Sequence, residues 1–506
     1  MPSPPPSRSR SQPPSYHKTP SKTPRRAIRP LLLLVALVNL SWSLYQLPIT
    51  RVIESRLCHD HYSLTDPSVI PPEGTVPEEL CKLDAIQQRL GKLQGVMETM
   101  WVGGDFLMTI PLVTLADRYG YGFVLRLNLV PRAFLLGWTL VVGYWGQVLG
   151  LPVEWVVMAP AGSWLGGDCV LNSAVYYLIS ELTEDVVLRA TFFAYLNATT
   201  SIFSSQLGPA LASLTMALRL WLPFLLGLGL LALSAPLVSL LPLTSPPHRP
   251  VEQSLAADEE SSSPLLSSRA NPPTPKTLKS LLAARLTSIL ALLTPPRPNF
   301  ILLLLVFFLA SLASSDTKLL PLYISKRHHL LLSQIGYLLS LKAVFNFFLL
   351  TYIIPALLRR QARFISAHEP PEASGPTRAT IRNAKTCLVL SAFGAVCISL
   401  APGIVWLVGA LAVYALGIAL PMFTFGLLKS EHVVKQGNAD ADAGVVFSVV
   451  MLVRTVGTLL GAMVMPLLWV QALKTGEEGD LGLPWGVSGI VYGLASIVLL
   501  GMRVPG

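Results

Sequence analysis

The segment from Leu31 to Thr50, LLLLVALVNLSWSLYQLPIT, contains no charged side chain in 20 consecutive residues. A helix needs about 20 apolar residues to cross the roughly 30 Å hydrocarbon core of a bilayer. A backbone inside lipid must satisfy its own hydrogen bonds, so such a run is most simply a helix. Similar runs recur along a chain that is 52% hydrophobic and 13% charged, which is too little charge for a soluble surface. The sequence therefore predicts an all-α, polytopic protein embedded in a lipid bilayer.

Twelve membrane spans can be drawn along the chain. The turn Ala401-Pro402-Gly403 alone separates the ninth from the tenth, and the fourth and eleventh are long enough to tilt or protrude. The predicted limits are 30–50, 93–116, 122–145, 151–180, 190–213, 218–242, 299–323, 332–358, 386–402, 403–428, 440–470 and 481–502.

Lysine and arginine concentrate before the first span and after the eighth. An even number of spans places both segments on one face, and the positive-inside rule makes that face cytoplasmic. Both termini are thus predicted to be cytoplasmic, although the first external loop also carries basic residues. Membrane orientation explains the net charge of +10 better than nucleic acid does, so no nucleic-acid partner is expected. We expect the plasma membrane, with a vacuolar or other internal membrane as the alternative.

The chain divides into four predicted parts. Residues 1–29 form a Pro- and Ser-rich tail without acids, expected to be disordered in the cytoplasm. Residues 30–243 and 298–506 each hold six spans, in two pseudo-symmetric bundles, and residues 244–297 form a polar cytoplasmic linker. Within the linker, residues 276–293 are amphipathic. They suit a helix on the inner membrane surface or an ordinary linker helix with no role of its own.

Cys58 and Cys81 share the polar loop after the first span. If that loop faces an oxidising space, the two form a disulfide; two free thiols are the alternative. Neither Asn39 nor Asn197 is expected to be glycosylated, because both sequons lie inside spans. The chain has no phosphate-binding loop, no His/Cys metal spacing and no nucleophile elbow, so no ATP-driven or enzymatic chemistry, metal or cofactor is expected.

Polar side chains inside the spans are the candidates for function. An ionisable group at bilayer depth costs at least about 2.5–3.5 kcal/mol, so it usually faces a partner or a watery cavity. Asp168, Asn172 and Tyr176 recur every four residues and form a stripe on the fourth helix. We predict a substrate or proton pathway built from Asn39, Trp42, Tyr45, Gln46, Asp105, Asp168, Asn172, Tyr176, Lys342 and Arg454. Asp105 and Asp168 are candidate proton carriers, or else members of structural salt bridges with Lys342 or Arg454.

The layout of six spans, a cytoplasmic linker and six spans resembles the major facilitator superfamily. The stretch TLADRYGYG, residues 114–122, falls in the turn between the second and third spans, where that superfamily carries G-x-x-x-D-R-x-G-R-R. Asp117, Arg118 and Gly120 match, whereas Val113 replaces the first glycine and the basic pair is absent. The resemblance implies that Asp117 is a conformational latch that helps to hold the outward-open state. The alternative is a solvated ion pair worth about 0–1 kcal/mol.

Other stretches narrow the resemblance. Gly208-Pro209 on the fifth span is similar to the centre of a motif of drug-efflux antiporters, without its flanking glycines. Fungal general-substrate transporters resemble this chain at RVIESRLC (51–58), VPEELCKLDAIQQRL (76–90), GGDCVLNSAVYYLISELT (166–183) and SDTKLLPLYISKR (315–327). The implied function is alternating-access, proton-coupled export of a small organic molecule such as a secondary metabolite or toxin, by a monomer. Uptake of a small nutrient and a non-transporting receptor are the alternatives.

Overall fold

A computed structural model describes residues 24–71, 76–146, 148–182, 192, 195–196, 198–241, 298–353, 356, 360, 375–428, 439–475 and 478–502. For some residues inside these ranges, Asp117 and Arg118 among them, only the backbone is described. Of the predicted disordered tail, residues 1–23 lie outside the described residues, whereas residues 24–29 are wrongly predicted because they form the start of the first helix. The predicted linker with its amphipathic helix also lies outside the described residues.

We call the part of the chain before residue 242 the N-half, and its described residues contain six α-helices. They are α1 (Pro24–Thr65), α2 (Asp84–Tyr119), α3 (Tyr121–Leu140), α4 (Asp168–Leu182), α5 (Gly208–Leu218) and α6 (Leu222–Leu240). A π-helical turn, Val141–Trp145, extends α3; a 3-10 helix, Val153–Leu165, precedes α4; and a π-helical turn, Ser201–Leu207, precedes α5. Helix α1 runs well past its predicted end, since its polar continuation packs on the loop that follows.

We call the part of the chain after residue 297 the C-half, and its described residues also form helices and short turns. Its helices are α7 (Pro298–Ala313), α8 (Leu320–Arg327), α9 (Leu332–Phe348), α10 (Gly375–Ser399), α11 (Ile404–Leu416), α12 (Leu420–Leu428), α13 (Ala439–Thr475) and α14 (Leu483–Leu500). The 3-10 turn Ser314–Lys318 joins α7 to α8, the 3-10 turn Gly417–Ala419 joins α11 to α12, and the π-helical turn Leu349–Ile353 extends α9.

Every regular element in the described ranges is helical, and seven of these helices are by themselves long and apolar enough to cross a membrane. The prediction of an all-α polytopic membrane protein is therefore confirmed. Once the 3-10 and π-helical turns are grouped with the helices that they adjoin, and the 3-10 helix Val153–Leu165 with α4, the described residues give twelve helical segments in the predicted order, apart from two short 3-10 turns between α1 and α2. Twelve complete crossings remain a prediction.

Helices pack both within and between the two halves. In the N-half α1 and α3 pack on α6; in the C-half α10 packs on α14 and α11, and α7 on α13 and α14. Between the halves α2 packs on α13 and α5 packs on α9. A Cβ atom on Gly95 of α2 would lie 2.6 Å from Cβ of Pro466 on α13, so the glycine is what permits this close contact.

The end of the molecule that carries the loop between α1 and α2 is called the disulfide end. There the sulfur atoms of Cys58 and Cys81 are bonded, with their Cα atoms 5.3 Å apart. The bond ties the last turns of α1 to the segment that leads into α2, and so it limits how far the loop can move from the helix.

Candidate functional site

A cavity of about 840 Å³ lies between the two halves. Its walls come from α1, α2, α4 and α5 on one side and from α7, α9, α11, α13 and α14 on the other. Binding sites for small molecules are usually roughly 300–1,000 Å³. The space is thus large enough for an organic molecule, and it touches both halves at once.

The sequence Gly166-Gly167-Asp168 builds one wall of the cavity. Gly166 has φ +135°, a conformation that other residues rarely adopt, and it forms the turn from the 3-10 helix into α4. A Cβ on Gly167 would fall 2.6 Å from Cβ of Asp105, so this glycine lets α2 approach α4. Asp105 accepts the backbone N–H of Cys169 at 3.0 Å through Oδ2. Two glycines thereby bring the two predicted acids to one place.

Arg132 on α3 is the partner of Asp168, and the sequence analysis did not identify it. Its Nη2 donates to Asp168 Oδ1 at 2.6 Å, and its Nε donates to Asn128 Oδ1 at 3.2 Å. Asn128 in turn donates to the carbonyl of Gly167 at 2.8 Å. The available signal was an arginine in an otherwise apolar span, which normally needs a buried partner.

Aromatic rings stand beside this ion pair. Trp42 and Trp101 are stacked with their centroids 4.7 Å apart, and Trp101 donates its indole N–H to Asp168 at 3.4 Å. The guanidinium of Arg132 lies 5.4 Å from the centroid of Trp42 and 5.9 Å from that of Trp101. Both rings line the cavity, so this wall offers a flat apolar surface backed by a satisfied ion pair.

The C-half contributes the cations of the cavity. Lys318 crosses to the N-half and pairs with Glu98 at 3.2 Å. Lys342 lies 5.5 Å from the ring centroid of Tyr414, and Arg454 lies 5.5 Å from that of Phe425. Neither of these two cations is within 4 Å of a carboxylate among the residues described.

Asp316 lies behind the C-half wall and is fully buried. Tyr414 donates its hydroxyl to Asp316 Oδ1 at 3.0 Å, and the hydroxyls of Tyr414 and Tyr492 are 3.2 Å apart. Asp316 does not line the cavity, whereas both tyrosines do. The carboxyl group therefore organises the wall from behind.

Contacts between the halves close the disulfide end. Glu78 Oε1 accepts the backbone N–H of Leu332, the first residue of α9, at 2.8 Å. Lys326 Nζ pairs with Asp84 at 2.7 Å. We call these two contacts the clasp.

The N-half side of the clasp is held by a buried carboxylate. Glu54 is 1% exposed and binds Lys82 at 2.7 Å and Gln87 at 2.7 Å. Lys82 also contacts Glu78 at 3.1 Å. The polar cluster of Glu54, Lys82, Gln87 and Glu78 therefore fixes the loop that contacts the C-half.

The predicted pathway residues divide into two groups. Those that line the cavity are Trp42, Tyr45, Gln46, Asp105, Asp168, Lys342 and Arg454. Asn39, Asn172 and Tyr176 do not. Asn39 instead donates to the carbonyl of Val35 on its own helix at 2.9 Å. The stripe on α4 meets the cavity only at Asp168, because that residue begins the helix and its later turns lead away.

Two further predicted motifs occupy defined positions. Gly208 begins α5, where a Cβ would overlap Ser43 of α1, and the neighbouring Pro209 approaches Gly336 of α9 in the other half. Gly120 ends α2 with φ +87°, and its N–H bonds to the carbonyl of Ala116 at 2.8 Å. The side chains of Asp117 and Arg118 lie outside what the structure describes.

Comparison with known proteins places the chain. The family model described as Major Facilitator Superfamily matches residues 83–462. The MFS efflux pump atnC of Emericella nidulans is 28% identical over 505 residues, covering 97% of this chain and 92% of that protein. The MFS-type transporter aprT of Aspergillus flavus is 24% identical over 479 residues, covering 94% and 88%. The nucleoside transporter NupG has a similar fold, with a TM-score of 0.56 at 14% identity over 94% of this chain and 98% of that one.

Proposed function

Because the chain belongs to the major facilitator superfamily, we propose that this transporter exports a small organic molecule by alternating access, driven by a proton gradient. One observation carries the proposal: a cavity walled by both halves is closed at the disulfide end by contacts between those halves. Breaking the clasp and separating α2 from α13 would open the cavity at that end. Rocking of two bundles about a midplane site is the general mechanism of such folds.

Export is supported by a related protein and by the position of Gly208-Pro209 in the fold. The relative atnC is described as an efflux pump, and relatedness across nearly the whole chain makes export the better proposal than uptake. Gly208-Pro209 stands where α5 meets α1 and approaches α9 of the other half, so it is placed to influence how the halves move. With the termini and linker in the cytoplasm, the clasp closes the outer end, and the cavity would load from inside. We propose a monomer in the plasma membrane.

Asp105 is the better candidate proton carrier of the two acids. Asp168 has a cation partner in Arg132 at 2.6 Å, and that pair would have to break before the carboxylate took up a proton. Asp105 lacks such a partner, and its Oδ1 has no hydrogen-bond partner among the residues described. It also lines the cavity next to the contact between α2 and α4, where a proton and a substrate would influence each other.

Transport into sealed vesicles tests the proposal. Inverted membrane vesicles would be incubated in a panel of organic compounds, with and without a pH gradient, and the amount accumulated inside would be measured. We expect gradient-driven accumulation of at least one compound, loss of that accumulation in Asp105→Asn, and normal accumulation in the control Glu79→Gln, an exposed acid outside the cavity. Equal accumulation with and without the pH gradient would contradict proton coupling. Transport of the compounds only out of the vesicles would establish uptake.

We propose separately that the turn between α2 and α3, with Asp117, Arg118 and Gly120, is a conformational latch. Gly120 at φ +87° provides the tight end of α2 that presents Asp117 at the helix end. If Asp117 stabilises one conformation, Asp117→Asn should slow turnover while substrate affinity stays within about twofold, since a latch changes the conformational equilibrium and not the binding contacts. Unchanged turnover in Asp117→Asn would contradict the latch and favour a solvated ion pair of Asp117 and Arg118.

A further inference from the structure

Of the three acids that line the cavity, two are paired with cations of the protein and the third is buried. Glu98 is paired with Lys318 at 3.2 Å, and Asp168 with Arg132 at 2.6 Å. Asp105 is 5% exposed, and its carboxyl group packs against Gly167. A cationic substrate would have to displace an internal cation or reach a buried carboxylate, so these acids do not form a ready site for a positive charge.

Two cations that line the same cavity have no carboxylate partner among the residues described. Lys342 and Arg454 are both partly exposed, and each faces an aromatic ring at 5.5 Å rather than a carboxylate. The charge of Asp316 reaches Lys342 only from beyond ion-pair distance. A cation in a low-dielectric site without an anionic partner is costly. An anion supplied by a bound molecule would remove that cost.

The wall on the N-half offers a different kind of contact. Trp42 and Trp101 present stacked rings to the cavity, with Arg132 behind them. Aromatic faces pack well against flat apolar molecules and give them a fixed orientation. The cavity therefore combines a cationic wall with a flat aromatic wall.

From this juxtaposition we infer that the cavity binds organic anions with a planar apolar body. The anionic group contacts Arg454 and Lys342 on the C-half, and the planar body packs on Trp42 and Trp101 of the N-half. The inference rests on the proposed transport function, and it adds the class of substrate. It also assigns Arg454 and Lys342 as specificity residues, because a neutral analogue would leave both cations without a partner.

Matched pairs of ligands test the charge preference directly. The protein in detergent would be titrated by isothermal calorimetry with planar aromatic carboxylates of increasing size, from 2-naphthoate to coumarin-3-carboxylate and 1-pyrenebutyrate, and with the uncharged carboxamide of each. We expect the carboxylate of at least one pair to bind about tenfold or more tightly than its amide, which is what one charge-assisted contact contributes.

Variants then assign that preference to residues. Arg454→Gln and Lys342→Gln should each weaken the carboxylate about tenfold while amide binding stays within about twofold. The control Arg126→Gln removes an exposed arginine of α3 that lies outside the cavity and should change neither ligand. Arg454→Glu should abolish the preference for the carboxylate.

The possible outcomes separate this inference from the proposed function. Equal affinity for acid and amide, no binding of any carboxylate up to its solubility limit, or an equal loss of both ligands in Arg454→Gln would overturn the inference. Because binding is measured without a membrane, selective binding of the acid in a protein that moves nothing across vesicles would contradict the proposed export and leave the anion site standing.

Discussion

Glu78→Ala should open the disulfide end of the transporter. Glu78 Oε1 accepts the N–H of Leu332 across the two halves at 2.8 Å, and its other contacts, with Lys82 and Arg51, stay inside the N-half. Contacts within one half persist in both conformations and cancel from the equilibrium between them. Only the bond to Leu332 favours the closed end, so its loss should shift the population.

The size of the shift follows from the environment of the bond. A hydrogen bond to a charged group is worth about 1.5–3 kcal/mol, and the Glu78 carboxylate also pairs with Lys82 and Arg51, which neutralise part of its charge and favour the lower end of that range. About 1.4 kcal/mol is a tenfold change in an equilibrium constant. Glu78→Ala should thus raise the open-to-closed ratio about tenfold, and Glu78→Gln by less, because an amide oxygen still accepts. The Lys326–Asp84 pair has an Asp84 side chain that is 51% exposed and contributes at most about 1 kcal/mol.

Cys169 provides a native reporter for this opening. Its thiol is free and half-buried, and it lines the cavity. A membrane-impermeant maleimide added on the side of the disulfide end reaches Cys169 only when that end opens. Labelling measured by peptide mass spectrometry should be about tenfold faster in Glu78→Ala than in the parent protein.

Controls separate opening from general loosening. Glu79→Ala removes a neighbouring exposed acid and should leave the labelling rate unchanged, and thermal unfolding should show that Glu78→Ala remains folded. Non-reduced peptides should contain Cys58 linked to Cys81, and reduction of that disulfide should speed labelling of Cys169 by freeing the loop that carries Glu78. A labelling rate in Glu78→Ala equal to that of the parent would refute the clasp.

Two other substitutions follow from the packing. Gly95→Ala places a Cβ 2.6 Å from Cβ of Pro466, so the same maleimide assay should show faster labelling of Cys169. The control Gly229→Ala, whose Cβ would meet no atom within 4 Å, should leave the labelling rate unchanged. Equal rates in the two variants would show that the contact between Gly95 and Pro466 does not hold the halves together. Arg132→Gln leaves the Asp168 carboxylate without its cation; because the Asp168 side chain is 46% exposed, water replaces part of the lost interaction and the cost should be about 1 kcal/mol, below that of a fully buried pair. Adding Asp168→Asn should restore part of the lost thermal stability, and a double variant no more stable than Arg132→Gln would show that the pair is not coupled.

The helical spans were predictable from local composition. The run from Leu31 to Thr50 is too long and too apolar for an element outside lipid, and it lies within α1. The extension of α1 to Thr65 and the start of α10 at Gly375 were missed, because the ends of helices outside the hydrocarbon core carry polar residues that hydropathy does not recognise.

The candidate site was only partly predictable. Charges in apolar spans pointed to Asp105, Asp168, Lys342 and Arg454, and all four line the cavity. The same reasoning left open, as the alternative to proton carriers, structural salt bridges between these acids and Lys342 or Arg454. In the structure the partner of Asp168 is Arg132, and neither Lys342 nor Arg454 lies within 4 Å of a carboxylate among the residues described, because helix packing decides which side chains meet.

Hydropathy and charge alone are enough to predict that this chain crosses a membrane many times and that a few buried polar groups matter. Lipid acts on each segment independently, so every apolar run reports its own environment. The pairing of Arg132 with Asp168, the clasp through Glu78 and the two cations without carboxylate partners depend on which helices are neighbours. Those neighbours are decided by packing between residues that lie 36 positions apart in the first case and 254 in the second, and no local pattern records them.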